Sequence, residues 1–381
     1  MVLVLAAPLF AEMTIFGEFD YYMVNGFEKD GGDNGNSFVD LWDKGEVDFK
    51  GTIGDYSQIR IELEEDGDWN AGAGKDNEGM PSFNYFRVIT DWGKFFGLDG
   101  IGIKTDIGLN SWETFDAVDF TGYNYENADS DIFIGNPGTT KDFGAKISAD
   151  FVEGLVQPYF AWQFDTFSVK DGGDGEFECL IGSGFDFNSL GLPLWIEAYF
   201  YNSNAEDLNT FGVEAMYDLA IGDMNFKIGG FLLSDTNGDD RGESWGAGVG
   251  FDAFGAAINL SCGGYFGEDY WGENSAFSVM GIDAEYFFLD WLGVNAGASF
   301  AFGDFKENGA GDEAFQSFEV GVVVKPDKGV CYKLGYIYAN DDAGAVDRNG
   351  NRTGKLNTRT LNTKKLAAEK GGLYFVTKID F

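Results

Sequence analysis

Side chains that alternate between apolar and polar for about ten residues at a time are the feature that most restricts this chain. In 101–110 one face reads Ile101, Ile103, Thr105, Ile107 and Leu109, and the other Gly102, Lys104, Asp106, Gly108 and Asn110. In 371–381 Leu373, Phe375, Thr377, Ile379 and Phe381 alternate with Tyr374, Val376, Lys378 and Asp380. A period of two marks a β-strand whose two faces meet different surroundings. Strands with Lys and Asp on one face do not belong in a dry core. A series of them suits a wall with hydrocarbon outside and water inside.

The rhythm recurs and predicts an all-β fold. Strands are expected near 13–23, 39–51, 56–63, 84–92, 101–109, 142–151, 156–164, 177–187 and 194–200, then near 211–219, 224–232, 245–253, 256–266, 278–288, 292–302, 318–324 and 330–338, with the C-terminal segment last. Connections alternate in length: 25–37 long, 52–55 short, 65–81 long, 93–100 short, 110–141 long. That asymmetry is how the two rims of a transmembrane barrel differ, whereas a β-sandwich gives no reason for it. The expected fold is a transmembrane antiparallel up-and-down β-barrel of about 16–18 strands, with 18 favoured. It would occupy 12–381 as a single domain, with 1–11 read as the remnant of a secretory signal ending at Ala11.

Composition removes several function classes. A formal charge of −39 excludes nucleic acid as a partner, because phosphate binding needs clustered Lys and Arg. No apolar run approaches the roughly 18 residues of a spanning helix. There is no histidine, which takes away the commonest general base and metal ligand, so no enzyme is expected. Cys179, Cys262 and Cys331 show no metal-ligand spacing, and the first two fall on apolar faces as small hydrophobes.

The strand rhythm, the alternating connections and the closing strand with Phe375, Ile379 and terminal Phe381 together resemble a general diffusion porin of the Gram-negative outer membrane. The resemblance covers nearly everything after Ala11. It implies short periplasmic turns, long extracellular loops, a homotrimer, and a terminal signal read by the barrel-assembly machinery. It also implies contact with outer-membrane lipid and lipopolysaccharide, and passive diffusion of ions and small hydrophilic solutes without a cofactor. A further implication is that 110–141 folds inward as a constriction loop. Its acidic residues Glu113, Asp116, Asp119 and Glu126 would then face basic residues of the opposite wall, Lys44, Arg60, Arg87, Lys104 and Lys146. The Pro-Glu-Phe-Gly sequence typical of enterobacterial members is absent from that loop.

The same inward phase carries the wall acids Glu46, Asp48, Glu62 and Asp106, and further along Glu178, Glu197, Glu214, Glu285 and Glu319. Inward acids outnumber inward bases roughly two to one, which predicts cation preference through the focused potential of fixed charge. Asp235, Asn237 and Asp239 partly resemble a calcium loop without its distal glutamate, so loop-bound calcium or magnesium is a secondary expectation. The 340–370 connection is basic, with Arg348, Arg352, Lys355, Arg359, Lys364 and Lys365. It reads as a surface loop, a contact for lipopolysaccharide, or a plug for an acidic mouth. Two other functions stay open. Inward aromatics such as Tyr85, Tyr159, Trp195, Tyr199 and Tyr201 would suit a sugar-specific channel, and a barrel can also anchor a structural or adhesive surface protein.

Overall fold

The computed structural model describes residues 13–26, 37–65, 82–110, 125–127, 142–164, 177–203, 208–222, 224–237, 240–268, 275–303, 315–339, 354–356 and 372–380. The first ten strands are β1 (Met13–Gly26), β2 (Ser37–Ile53), β3 (Ser57–Glu65), β4 (Ser82–Asp91), β5 (Ile101–Asn110), β6 (Tyr125–Asn127), β7 (Asp142–Phe151), β8 (Val156–Phe164), β9 (Phe177–Asp186) and β10 (Leu194–Ser203). The second ten are β11 (Leu208–Ile221), β12 (Met224–Asn237), β13 (Asp240–Ala253), β14 (Ala256–Glu268), β15 (Ser275–Leu289), β16 (Leu292–Gly303), β17 (Phe315–Asp327), β18 (Val330–Ala339), β19 (Gly354–Leu356) and β20 (Gly372–Asp380).

Eighteen of these strands form one sheet, each antiparallel to its sequence neighbours in the wall. The sheet closes on itself where β20 pairs with β1, from Glu18 opposite Asp380 to Gly26 opposite Gly372. Every expected segment coincides with a wall strand, and the favoured count of 18 holds. Closure satisfies the backbone of every strand and removes the edges that an open sheet would expose. The two short strands, β6 and β19, pair only with each other in a separate ribbon.

Short turns join the strands at one rim, and two of them cut strands shorter than alternation alone predicts. At the end of β4 the Asp91 carboxylate accepts from the Lys94 N–H at 2.9 Å and starts the one-turn helix α1 (Trp92–Phe96), which Gly97 ends at φ 63°. Asp186 does the same after β9, where its carboxylate accepts from the Asn188 N–H. A side chain that bonds the following backbone N–H groups favours a helical turn over another strand residue.

The polarity of the wall is inverted relative to a soluble protein. Large apolar side chains of the outward phase are exposed, among them Phe211, Leu232, Val320, Leu334 and Leu373 at 50–67%. Their neighbours of the inward phase are polar and buried, among them Asp48, Glu197, Glu214, Asp283 and Glu319, none above 4%. Water would penalise the first set and hydrocarbon the second, so the wall fits oil outside and a polar interior. Phe375 and Ile379 of the closing strand lie on the outward phase with Leu373. Residues 1–11 and Phe381 lie outside the described residues.

Candidate functional site

The inner wall over β2–β7 is an arc of interleaved charge. Cross-strand register sets Asp48 opposite Glu62, Glu62 opposite Tyr85, Arg60 opposite Arg87, and Asp106 opposite Lys146. Arg87 reaches Asp106 with Nη1 to Oδ2 at 2.9 Å, and its guanidinium carbon lies 4.9 Å from the centroid of the Tyr85 ring. The Tyr85 hydroxyl donates to Asp48. Carboxylate oxygens of Glu46, Asp48 and Glu62 lie within 4.8 Å of one another, a spacing that a hard cation can bridge. Lys104 is looser, 3.9 Å from Asp150 with both side chains nearly half exposed.

Acids and bases are therefore neighbours on one arc. Arg60, Arg87, Lys104 and Lys146 share it with Glu46, Asp48, Glu62 and Asp106. Lys44 belongs to the same phase, opposite Asp20, although its side chain lies outside the described ones. Of the acidic loop residues, Glu126 falls in β6, and Glu113, Asp116 and Asp119 lie outside the described residues.

Over β8–β13 the wall is built differently. The Tyr159 ring lies over Gly182, Tyr199 over Gly212 and Phe231 over Gly246, each aromatic covering a glycine on the next strand. A Cβ at any of these glycines would collide with the ring above it. Leu180, Tyr199, Tyr201, Leu208, Phe231 and Leu233 complete a buried apolar cluster on the inner face. Tyr199 and Tyr201 are only 2% and 4% exposed, so they offer almost no ring face to a passing solute.

Acids persist within this cluster. Glu197 and Glu214 are direct cross-strand partners, Tyr159 donates its hydroxyl to Glu197, and the Lys146 ammonium lies 4.3 Å from the Tyr159 ring centroid. Asp235 lies in β12, where its carboxylate accepts from Thr210 Oγ1 at 2.5 Å. Asn237 ends that strand opposite Asp240, and Asp239 lies outside the described residues.

A third polar group includes two bases, Lys325 and Lys333, that are not among the pore-wall bases expected from the sequence. Glu285 Oε1 is 2.8 Å from Lys325 Nζ, and its Oε2 is 3.7 Å from Lys333 Nζ. Asn295 donates to Glu319 at 2.8 Å, and Asn259 to Asp283 at 3.1 Å. The inward phase of Lys325 and Lys333 in β17 and β18 is the signal by which the sequence could reveal them.

No family model matches the chain, and no curated relative does. Solved structures do. A BenF-like porin from Pseudomonas fluorescens Pf-5 superposes with a TM-score of 0.61 at 8% identity, covering 98% of this chain and 99% of that one. OccAB3 of Acinetobacter baumannii gives 0.58 at 12% identity, over 97% and 99% of the two chains. OccD3 of Pseudomonas aeruginosa gives 0.55 at 11%, over 98% and 92%. The fold is that of an outer-membrane porin barrel. At these identities the likeness is one of fold, carried over nearly the whole of each chain. The charged arc over β2–β7 is part of the continuous wall of this porin-type barrel.

Proposed function

We propose that the chain is a porin of the bacterial outer membrane, a water-filled channel through which ions and small hydrophilic solutes diffuse passively, with a preference for cations. The observation that supports it most is the inverted wall: exposed Phe211, Leu232 and Leu334 outside, buried carboxylates inside, on a ring without edges. A ring of 18 strands at about 4.8 Å spacing and about 40° tilt measures roughly 35 Å across its backbone. Side chains of the wall alone do not fill that width, which favours a passage over a solid anchor.

Cation preference follows from the sign of the lining. Glu46, Asp48 and Glu62 are clustered, and Glu197 faces Glu214 directly across the β10–β11 pair. In a low-dielectric wall such fixed charge raises the local concentration of counter-ions. In the same reading 110–141 is a constriction loop, and its Glu113, Asp116, Asp119 and Glu126 would add to the field. The reading includes residence in lipopolysaccharide-bearing membrane, assembly as a homotrimer, and no enzymatic step.

Planar-bilayer recording of the purified protein tests it. Discrete ohmic steps are expected, and in a salt gradient the reversal potential takes the sign of cation flow. Silence contradicts the channel, and the opposite sign contradicts the selectivity.

A further inference from the structure

Among the described residues eight short turns join wall strands at one rim, and six of them carry an exposed apolar side chain beyond the last strand residue: Tyr56, Phe96, Val152, Leu190, Phe254 and Trp291. Exposure runs from 38% at Tyr56 to 101% at Phe254. Water penalises all six. Two also sit where the backbone resists them. Val152 has φ 54° and Phe254 φ 55°, a left-handed conformation that suits Gly, Asn or Asp and is unfavourable for β-branched or bulky residues. Glycine or asparagine there would relax the turn and remove the exposed apolar surface at once. At full exposure the Phe254 ring has no cover from its own chain, so any contact that stabilises it lies outside.

The β4–β5 turn shows in which direction that contact lies. The Trp92 indole donates from Nε1 to Thr105 Oγ1 at 2.9 Å, and Thr105 belongs to the outward phase of β5 with Ile103 and Ile107. Helix α1 is therefore folded against the outer side of the wall. Its rings form a knot in which Phe95 stands edge-on to Phe96 at 4.9 Å, to Tyr56 of the neighbouring turn at 5.3 Å and to Trp92 at 5.8 Å, centroid to centroid. Continuity with the exposed apolar phase of the wall points to lipid, and so does the spread. A protein partner would cover one sector, whereas the six turns run from β2 to β16. The β17–β18 turn is the exception, formed by Asp327, Lys328 and Gly329 without an apolar side chain.

We infer that the short-turn rim is sunk in the head-group layer of the membrane, with phospholipid as the partner of these side chains, and does not stand clear in water. Amphipathic rings such as those of Tyr56 and Trp291 settle at that level, and Phe, Val and Leu beside them reach the acyl boundary. The aromatic girdles of such barrels flank the apolar band of the wall. Here the lipid boundary is moved out to the turns themselves. The barrel is thereby seated deeper by the height of a turn, and the β17–β18 turn is the sector left to meet water. Lipid contact of this kind needs the oily outer wall and is independent of conduction.

The test uses the full chain with Cys179, Cys262 and Cys331 replaced by serine, refolded into vesicles of phosphatidylethanolamine and phosphatidylglycerol, with one spin-labelled position at a time. Val152→Cys, Leu190→Cys and Phe254→Cys probe the rim, Leu334→Cys the exposed apolar wall and Lys328→Cys the charged turn. Oxygen, which concentrates in lipid, should relax the three rim labels more than the label at 328, and a water-soluble nickel chelate should relax them less, as it does at 334. Rim labels as open to the chelate as the one at 328 overturn the lipid seat. Protection at one rim position alone, or protection that fades as protein is diluted in lipid, also overturns it, since contact with protein would then be the cause. A second measurement asks what the side chains themselves do. Val152→Asn with Phe254→Asn relaxes both turns, so strain alone would raise the midpoint of urea unfolding in the same vesicles. A lower midpoint is expected, because the lipid contact is lost. A midpoint that rises or stays where it was overturns the role given to these side chains.

Discussion

The inner wall solves one problem in two ways. Over β2–β7 long side chains reach between strands and meet in pairs, Arg87 with Asp106 and Tyr85 with Asp48. Over β8–β13 rings lie flat on glycines, Tyr199 on Gly212 and Phe231 on Gly246, and seal the wall with apolar contact. The first arc keeps charge on the inner face, where the proposed channel would expose ions to it, at some expense of desolvation. The second keeps shape, because a ring seated on a glycine has no neighbouring Cβ to hold it away from the strand. The difference separates two demands on one sheet: on the proposed reading the charged arc bears most on selectivity, and the aromatic one on rigidity.

The largest effect should come from the aromatic arc. A valine at Gly212 would put its Cβ inside the Tyr199 ring, so either the ring or the strand must move. Overpacking of this kind costs about 1–3 kcal/mol. Gly212→Val should lower the midpoint of thermal unfolding in detergent, followed by far-ultraviolet circular dichroism. Adding Tyr199→Ala should return part of the loss, since it empties the space the new methyls need. Ion selectivity should not change in either variant. A Gly212→Val protein as stable as its parent would remove the contrast between the arcs.

Much of this plan is legible in the sequence because a wall between oil and water writes itself into every second residue. The 101–110 and 372–380 strands need nothing more, and the period of two by itself puts Arg60, Arg87, Asp106 and Lys146 on one inward face. What stays hidden depends on partners that no local pattern names. Asp91 and Asp186 end their strands by bonding forward to backbone, an effect of one side chain that a period-two count extends past. The seats of Tyr159, Tyr199 and Phe231 require knowing which glycine of the next strand comes opposite. The β6–β19 ribbon joins residues more than half the chain apart, with strands too short to show a period.

A smaller effect is expected in the charged arc. Arg87 and Asp106 are mostly covered, with side chains 18% and 15% exposed, and 2.9 Å apart. Arg87→Gln leaves the Asp106 carboxylate without its strongest partner in a partly desolvated place. The expected loss is about 1–2 kcal/mol of stability, at the low end for a hydrogen bond between charged groups because solvent still reaches both side chains. Function should move more than stability. One positive charge fewer beside Asp106 and Lys146 should raise the cation-to-anion permeability ratio, read as a larger reversal potential in the same salt gradient. An unchanged ratio would mean that the arc does not set selectivity.

Lys104 sharpens the comparison because it lies on the same arc with none of the same cover. Its ammonium stands 3.9 Å from Asp150, and the side chains are 48% and 43% exposed. Water and salt reach both groups, so the pair contributes at most about 0.5 kcal/mol and its field is screened within a few ångströms in concentrated salt. Lys104→Gln should leave the unfolding midpoint where it is. It should move the reversal potential in the direction of Arg87→Gln but by less, and the shift should fade as ionic strength rises, while that of Arg87→Gln persists. Both substitutions remove one positive charge, so charge number cannot distinguish them; burial can. Equal shifts at all salt concentrations would mean that ions sense only the sum of the lining, and that the pairing of Arg87 with Asp106 is irrelevant to what passes.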